Sequence, residues 1–283
     1  MLITEILNAL QFSMTLFLLS IGLTIVFGLM KIVNLAHGTL YMLGAYLGLS
    51  ISTFSGSFWL AFFFAPLATA LIGAILYSCL FKFIQRVDPM RQVLLTFGLI
   101  YVGLDSVRLL WGSMSHSISA PELLSNSIQI VGETYPTYRL FVIFVGLFVL
   151  VVLYFLLEKS KMGAMVRASV DDHETTQMLG INTNKILFYS FSLGCGLAGL
   201  AGVTVAPIVG VEAGMDMEVL VLTLIVVVVG GPGSLKGALV GSLLIGFIDT
   251  FGKVFFPELA LITMYAAMAL ILIFKPDGMY SKL

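Results

Sequence analysis

Charge is what this sequence has least of. Asp, Glu, Lys and Arg make up 10% of its 283 residues, against about 25% in a soluble domain, so they are too few to cover a water-facing surface. Cysteine is scarce as well: Cys79 and Cys195 both lie in apolar runs, where free Cys acts as a small hydrophobe, and no disulfide framework is expected. With three His there is no Ser/His/Asp set, metal-ligand cluster or intramembrane protease signature. No series of Asp, Glu and His runs through the apolar stretches, which argues against proton coupling. Short alternating segments are missing too, which excludes a β-barrel. The opening "MLITEILNAL" carries Glu5 and no Lys or Arg, so it lacks the basic start of a signal peptide, and the first helix is expected to be retained.

What is present is apolar residue in long runs: 59% of the chain is hydrophobic and the mean hydropathy is +1.08. That composition reads as an all-α polytopic transmembrane helical bundle with broken and short helices, a single domain over 1–283. Apolar windows predict spans near 6–33, 39–54, 58–81, 93–111, 139–157, 186–209, 218–230, 237–251 and 258–274. The seams "STFSGS", "GVEAGMD" and "GKVFFPE" read as turns. Two connections are long, at about 112–138 and about 158–185. Threading the spans puts Lys82, Arg86, Arg91, Lys159, Lys161, Arg167, Lys185, Lys275 and Lys282 on one face with Lys31 and Lys236. Basic loops stay inside, so the 158–185 loop and the C-terminus are expected in the cytoplasm, and the N-terminus and the 112–138 loop outside.

Two spans fall short of the roughly 20 residues needed to cross the hydrocarbon core, 39–54 and 237–251. Each follows an interruption: "NLAHG" with Asn34, His37, Gly38 and Thr39 just beyond, and "GGPGS" at Gly230, Gly231, Pro232, Gly233 and Ser234. Paired, glycine-interrupted short segments are the pattern of broken helices lining a transport pathway. Asn34 or Thr39 is suited to cap a helix start, Gly38 to permit a turn or a close approach, and His37 to donate a hydrogen bond. Repair of a kink is the first reading of Asn34 and His37, and direct solute contact the second. The glycine-rich stretch lacks the spacing of a phosphate loop, so nucleotide binding is not expected there. Asp105 and Arg108 share a helix face and neutralise each other, and Asp249 reaches towards the outer water. Mixed charge from Met162 to Leu179, ended by Gly180, predicts a short amphipathic helix whose exposed apolar residues suit a docking partner.

These stretches resemble the inner-membrane permeases of ABC importers for branched-chain amino acids. "GLTIVFGLMKIVNLAHGTLYMLGAYLG" at Gly22–Gly48 is similar to that family's first signature. "VRASVDDHETTQMLGIN" is similar to its ATPase-engaging segment, with Arg167, Asp171, Glu174 and Gly180 at matching positions. "LAGLAG", "GGPGSLKGALVGSLLIG" and the ending "KPDGMY" match further motifs. Thr175 and Thr176 replace the two alanines of the wider importer motif, and no Leu-Pro follows. The resemblance implies a non-catalytic subunit in the bacterial inner membrane. It implies a homologous second permease, two cytoplasmic ATPases that hold ATP and Mg, and an external substrate-binding protein, with no cofactor in this chain and no nucleic acid. The expected cargo is a branched-chain amino acid, with urea, amides or another small organic solute as the alternative. ATP-driven closure would push on the 162–180 helix and switch the bundle between outward- and inward-facing states. A stand-alone carrier or channel predicts coupling-ion residues in the spans, and a membrane enzyme predicts a polar catalytic cluster; the residues offer neither.

Overall fold

In lipid the backbone must satisfy its own hydrogen bonds, and the α-helix does so within one segment. The structure is a computed structural model describing residues 2–30, 34–84, 88–130 and 132–280, with backbone alone at residues 89, 171, 173, 174, 260 and 261. Its helices are α1 (Leu2–Met30), α2 (His37–Ser55), α3 (Phe58–Leu76), α4 (Lys82–Ile84), α5 (Pro89–Trp111), α6 (Thr137–Tyr154), α7 (Lys161–Asp171), α8 (His173–Met178), α9 (Thr183–Val209), α10 (Met215–Gly230), α11 (Leu235–Phe255) and α12 (Ala260–Phe274). A π-helical turn, Tyr77–Phe81, joins α3 to α4, and another, Phe155–Lys159, extends α6. Two short antiparallel strands, β1 (Ser127–Ile130) and β2 (Glu133–Pro136), form a hairpin before α6 that the sequence does not announce.

Among the described residues, six segments are long and apolar enough to cross a membrane: Leu2–Met30, Phe58–Ile84, Met90–Trp111, Thr137–Lys159, Thr183–Val209 and Leu235–Phe255. The last corrects an expectation. The helix expected at 237–251 has 21 residues, about 31 Å at the helical rise, so the interruption before it does not open a short segment. In the sequence Asp249 and Lys253 look like an end, whereas they form an i,i+4 ion pair of 2.6 Å that carries the helix onward. Three further apolar helices, α2, α10 and α12, have 19, 16 and 15 residues.

The bundle is built around α1, buried without a gap from Ser13 to Val26. Helices α2 and α9 lie against it, and glycine sets their spacing: a Cβ on Gly44 of α2 would stand 2.3 Å from the Cα of Gly199 on α9. Small residues of this kind let backbones approach where no hydrophobic force drives helices together in lipid. Helix α3 covers α9, with Thr69 against Gly199, while α6 and α11 flank α1 through Gly146 on Met14 and Gly246 on Ser13.

At one end of the bundle the Tyr77 hydroxyl donates to Asn184 O (3.4 Å). There too the tail closes on α10, Met279 N–H donating to Val229 O (2.9 Å) and Tyr280 N–H to Gly230 O (3.0 Å). The motif "KPDGMY" thus supplies donors for carbonyls that a helix end leaves orphaned. Lys82, Lys159, Lys161, Arg167, Lys185, Lys236 and Lys275 belong to this end, the cytoplasmic one by the distribution of basic charge; Lys31, Arg86 and Lys282 lie outside the described residues. At the other end, Arg139 Nη1 donates to Asn8 Oδ1 (2.8 Å) and the Thr4 hydroxyl to the Glu133 carboxylate.

Gly44→Leu drives a side chain into the backbone of α9 and is expected to cost at least about 1–3 kcal/mol, lowering both the yield of monodisperse protein and its melting temperature. Gly98→Leu, at a position with open space around it, is the control, and equal thermal stability of the two variants would refute the claim.

Candidate functional site

Helix α1 continues to Met30, yet α2 does not start beside that end. His37 Nε2 donates to Leu19 O (3.1 Å), and Leu19 lies about eleven residues, or ~16 Å, before Met30 along the axis. The chain therefore turns back into the bundle before its second helix begins. A carbonyl only accepts, so Nε2 carries the proton, and His37, 2% exposed, ties the buried helix start to α1. Asn34 shapes the turn: its Oδ1 accepts from Ala36 N (3.2 Å) and its backbone O from His37 N (3.1 Å). Neither Asn34 nor Thr39 is the cap; that position is Ala36, with no capping side chain.

Thr39 instead points to a residue that the sequence reading passes over. Its hydroxyl donates to Asp216 Oδ2 (3.2 Å), and Asp216 is 2% exposed in the first turn of α10. A Cβ on Gly38 would stand 2.3 Å from Asp216 O, so only glycine lets the first turns of α2 and α10 touch. Helix α10 has 16 residues, about 24 Å, shorter than the roughly 30 Å hydrocarbon core. It too begins inside. Gly214, at φ +112, makes the turn into it, and Val211 just upstream pairs with His116 through two backbone bonds of 2.8 Å. Thr39 also packs on α5, where a Cβ on Gly103 would meet its methyl group at 2.0 Å. Three helices, α2, α5 and α10, meet at this hydroxyl.

The spatial counterpart of "NLAHG" is thus "GVEAGMD", expected as a plain turn, and not "GGPGS". The missed signal is a glycine pair followed by an acid at the start of a short apolar run. Gly230–Ser234 serves the cytoplasmic end. Gly231 and Gly233 take φ +98 and +75, Pro232 is exposed, and Ser234 Oγ caps α11 by accepting from Gly237 N (3.0 Å). Gly233 rests on Gly28 of α1, a Cβ on Gly28 meeting its Cα at 2.5 Å.

Beside that turn lies a cavity of about 240 Å³, lined among others by Ile25, Gly28, Glu158, Arg167, Ser234 and Lys236. Arg167, expected to engage an ATPase, pairs with Glu158 (3.7 Å) and donates to Leu157 O, with its side chain still partly exposed. The single helix expected over Met162–Leu179 is two, α7 and α8, parted at Asp172, whose Oδ1 accepts from Thr175 N (3.0 Å) to start the second. Gly180, at φ +83, follows α8. The side chains of Asp171 and Glu174 lie outside the described residues.

Buried polar atoms without a hydrogen-bond partner include Asn34 Nδ2, His37 Nδ1 and Asp216 Oδ1, all in or beside the two helix starts.

The family model described as branched-chain amino acid transport system / permease component matches residues 5–272. The high-affinity branched-chain amino acid transport system permease protein BraD of Pseudomonas aeruginosa is 28% identical over 295 residues, covering 98% of this chain and 95% of its own length. The probable branched-chain amino acid transport permease protein LivH of Methanocaldococcus jannaschii is 29% identical over 281 residues, covering 93% of this chain and 81% of its own. Among solved structures, PsaBC from Streptococcus pneumoniae in complex with Fab aligns with a TM-score of 0.53 at 16% identity, over 96% of this chain and 92% of that one; the likeness is one of fold.

If His37 anchors the start of α2, His37→Leu is expected to lose about 1 kcal/mol and to lower the thermal stability of the purified protein. His37→Gln, which keeps a donor for Leu19 O, should retain most of it. Equal melting temperatures for the two variants would count against the anchor.

Proposed function

The chain belongs to the branched-chain amino acid transport permease family, and from that premise we propose that it carries leucine, isoleucine or valine as part of an ATP-driven importer. It is a membrane subunit without catalytic activity of its own. The observation that carries the reading is the family match across residues 5–272, nearly the whole chain. The proposed assembly has a homologous second permease, two cytoplasmic ATPases that hold ATP and Mg, and an external binding protein that delivers the solute; this chain holds no cofactor.

The bundle supports alternating access by rigid bodies. Helix α7 lies over the cavity formed with the ends of α1 and α11, and the open Arg167–Glu158 pair (3.7 Å) holds it to the end of α6. A push on α7 and α8 from an ATPase reaches α1 and α11 through those contacts. Helices α2 and α10, both starting inside the bundle, then sit where two sides of a pathway separate.

Two measurements test this. In proteoliposomes holding the complete complex, labelled leucine is expected to accumulate only with ATP and binding protein, and labelled urea not at all; uptake of urea without leucine would move the chain to another solute. Glu174→Ala is expected to insert normally and to lose solute-stimulated ATPase activity, and undiminished stimulation would remove that residue from the ATPase contact.

A further inference from the structure

The carboxylates of this bundle are treated unequally. Asp105 is neutralised by Arg108 (3.9 Å) and Asp249 by Lys253 (2.6 Å). Asp216 is almost wholly buried and forms no ion pair among the described residues. Its Oδ2 takes the Thr39 hydroxyl, while its Oδ1 meets no donor. The positive end of α10 favours negative charge there but leaves that oxygen without a hydrogen bond. An acid left half-satisfied at membrane depth is costly, and such a group is spent on function more readily than on packing.

We propose that Asp216 is a solute-binding residue of the permease, its Oδ1 accepting the α-ammonium group of the amino acid as it passes the junction of α2, α5 and α10. The proposal rests on the importer reading above and adds to it a binding step inside the membrane, separate from selection by the external protein. The surroundings fit such a cargo. Leu220 lies beside Gly38 and the Thr39 methyl group against Gly103, apolar surface that suits an aliphatic side chain. The unpartnered Asn34 Nδ2, four residues before Gly38, is a donor of the kind a carboxylate takes. A neutral solute such as urea brings the carboxylate no cation, whereas an ammonium group supplies one together with hydrogen-bond donors. Towards the outside, the His116–Val211 pairing covers the turn into α10, and Trp111 packs at a tilt against Tyr46 with ring centroids 5.3 Å apart while donating to Ser50 Oγ (2.7 Å). In this conformation the carboxylate is therefore closed to the outer solution, and the solute reaches it when α2 and α10 part.

A purely structural Asp216 makes a different forecast: its bond from the Thr39 hydroxyl is kept by asparagine. The test uses the intact permease–ATPase complex in nanodiscs, without nucleotide or binding protein, and measures equilibrium competition against labelled leucine. Leucine methyl ester keeps the ammonium group and 4-methylpentanoate lacks it. The ester is expected to compete, and the deaminated acid to compete at least about 10-fold more weakly, the range of a charge-assisted bond. Asp216→Asn should weaken leucine by a similar factor while leaving the affinity for 4-methylpentanoate unchanged. Equal leucine affinity in the variant overturns the proposal, as does an equal loss for both ligands, and as does a wild-type complex that binds no leucine. Should the variant not assemble, the wild-type series decides alone, and equal potency of leucine and the deaminated acid refutes the ammonium contact. A wild-type complex that binds leucine here yet accumulates none in proteoliposomes overturns the importer reading instead.

Discussion

Everything in this bundle depends on one constraint of the hydrocarbon: it offers no partner to a backbone or side-chain polar group. A helix that begins at membrane depth exposes its first N–H groups where lipid cannot meet them. Helices α2 and α10 both begin there, so their starts must be closed by protein, and they are closed largely by each other. Gly38 lies on the backbone of Asp216, Thr39 bonds its carboxylate, and His37 ties the turn to Leu19 O. Those contacts need α1, α2 and α9 to approach more closely than ordinary side chains permit, which is what the glycines at Gly44 and Gly199 allow.

The same geometry divides labour between the two ends. The Gly230–Ser234 turn, the tail at Met279 and Tyr280, Gly28 of α1 and the Arg167–Glu158 pair form one connected cytoplasmic surface. The junction of α2 and α10 lies deeper, reached through the body of α1. A long helix buried through its middle is a poor spring and a good lever, since close-packed cores shift between discrete arrangements rather than deform. In the proposed importer, a push on α7 would therefore meet α1 and α11 as packed bodies rather than as a flexible loop.

Much of this was legible in the sequence. Low charge and long apolar runs specify the helical class, the basic residues mark one face, and "NLAHG" stands out because Asn and His are poor lipid-facing residues. Where the sequence misleads is in the pairing of interruptions. Four glycines and a proline make Gly230–Gly237 the louder break, but they serve a tight turn at the cytoplasmic end, where positive φ is needed at Gly231 and Gly233. Asp216 reads as a loop acid because a short apolar run begins right after it. Only the depth at which α10 starts, a property of three-dimensional packing, reveals that its first turn lies inside. The Arg167–Glu158 pair is likewise not legible in the sequence, since Glu158 sits across a turn whose closure local sequence does not specify.

The contrast among the acidic residues follows from helix periodicity. Asp105 and Arg108 are three apart on α5, and Asp249 and Lys253 four apart on α11, so each pair shares a face and neutralises itself within one helix. Asp216 has no basic residue three or four positions away on either side: Glu212 and Ala213 stand before it, and Val219 and Leu220 after. No side chain of its own helix answers its charge, and the neighbouring helix answers one oxygen of two. With Asp105 and Asp249 cancelled within their own helices, Asp216 is the buried acid whose charge is left for a partner outside its helix, which is the basis of the proposed solute contact.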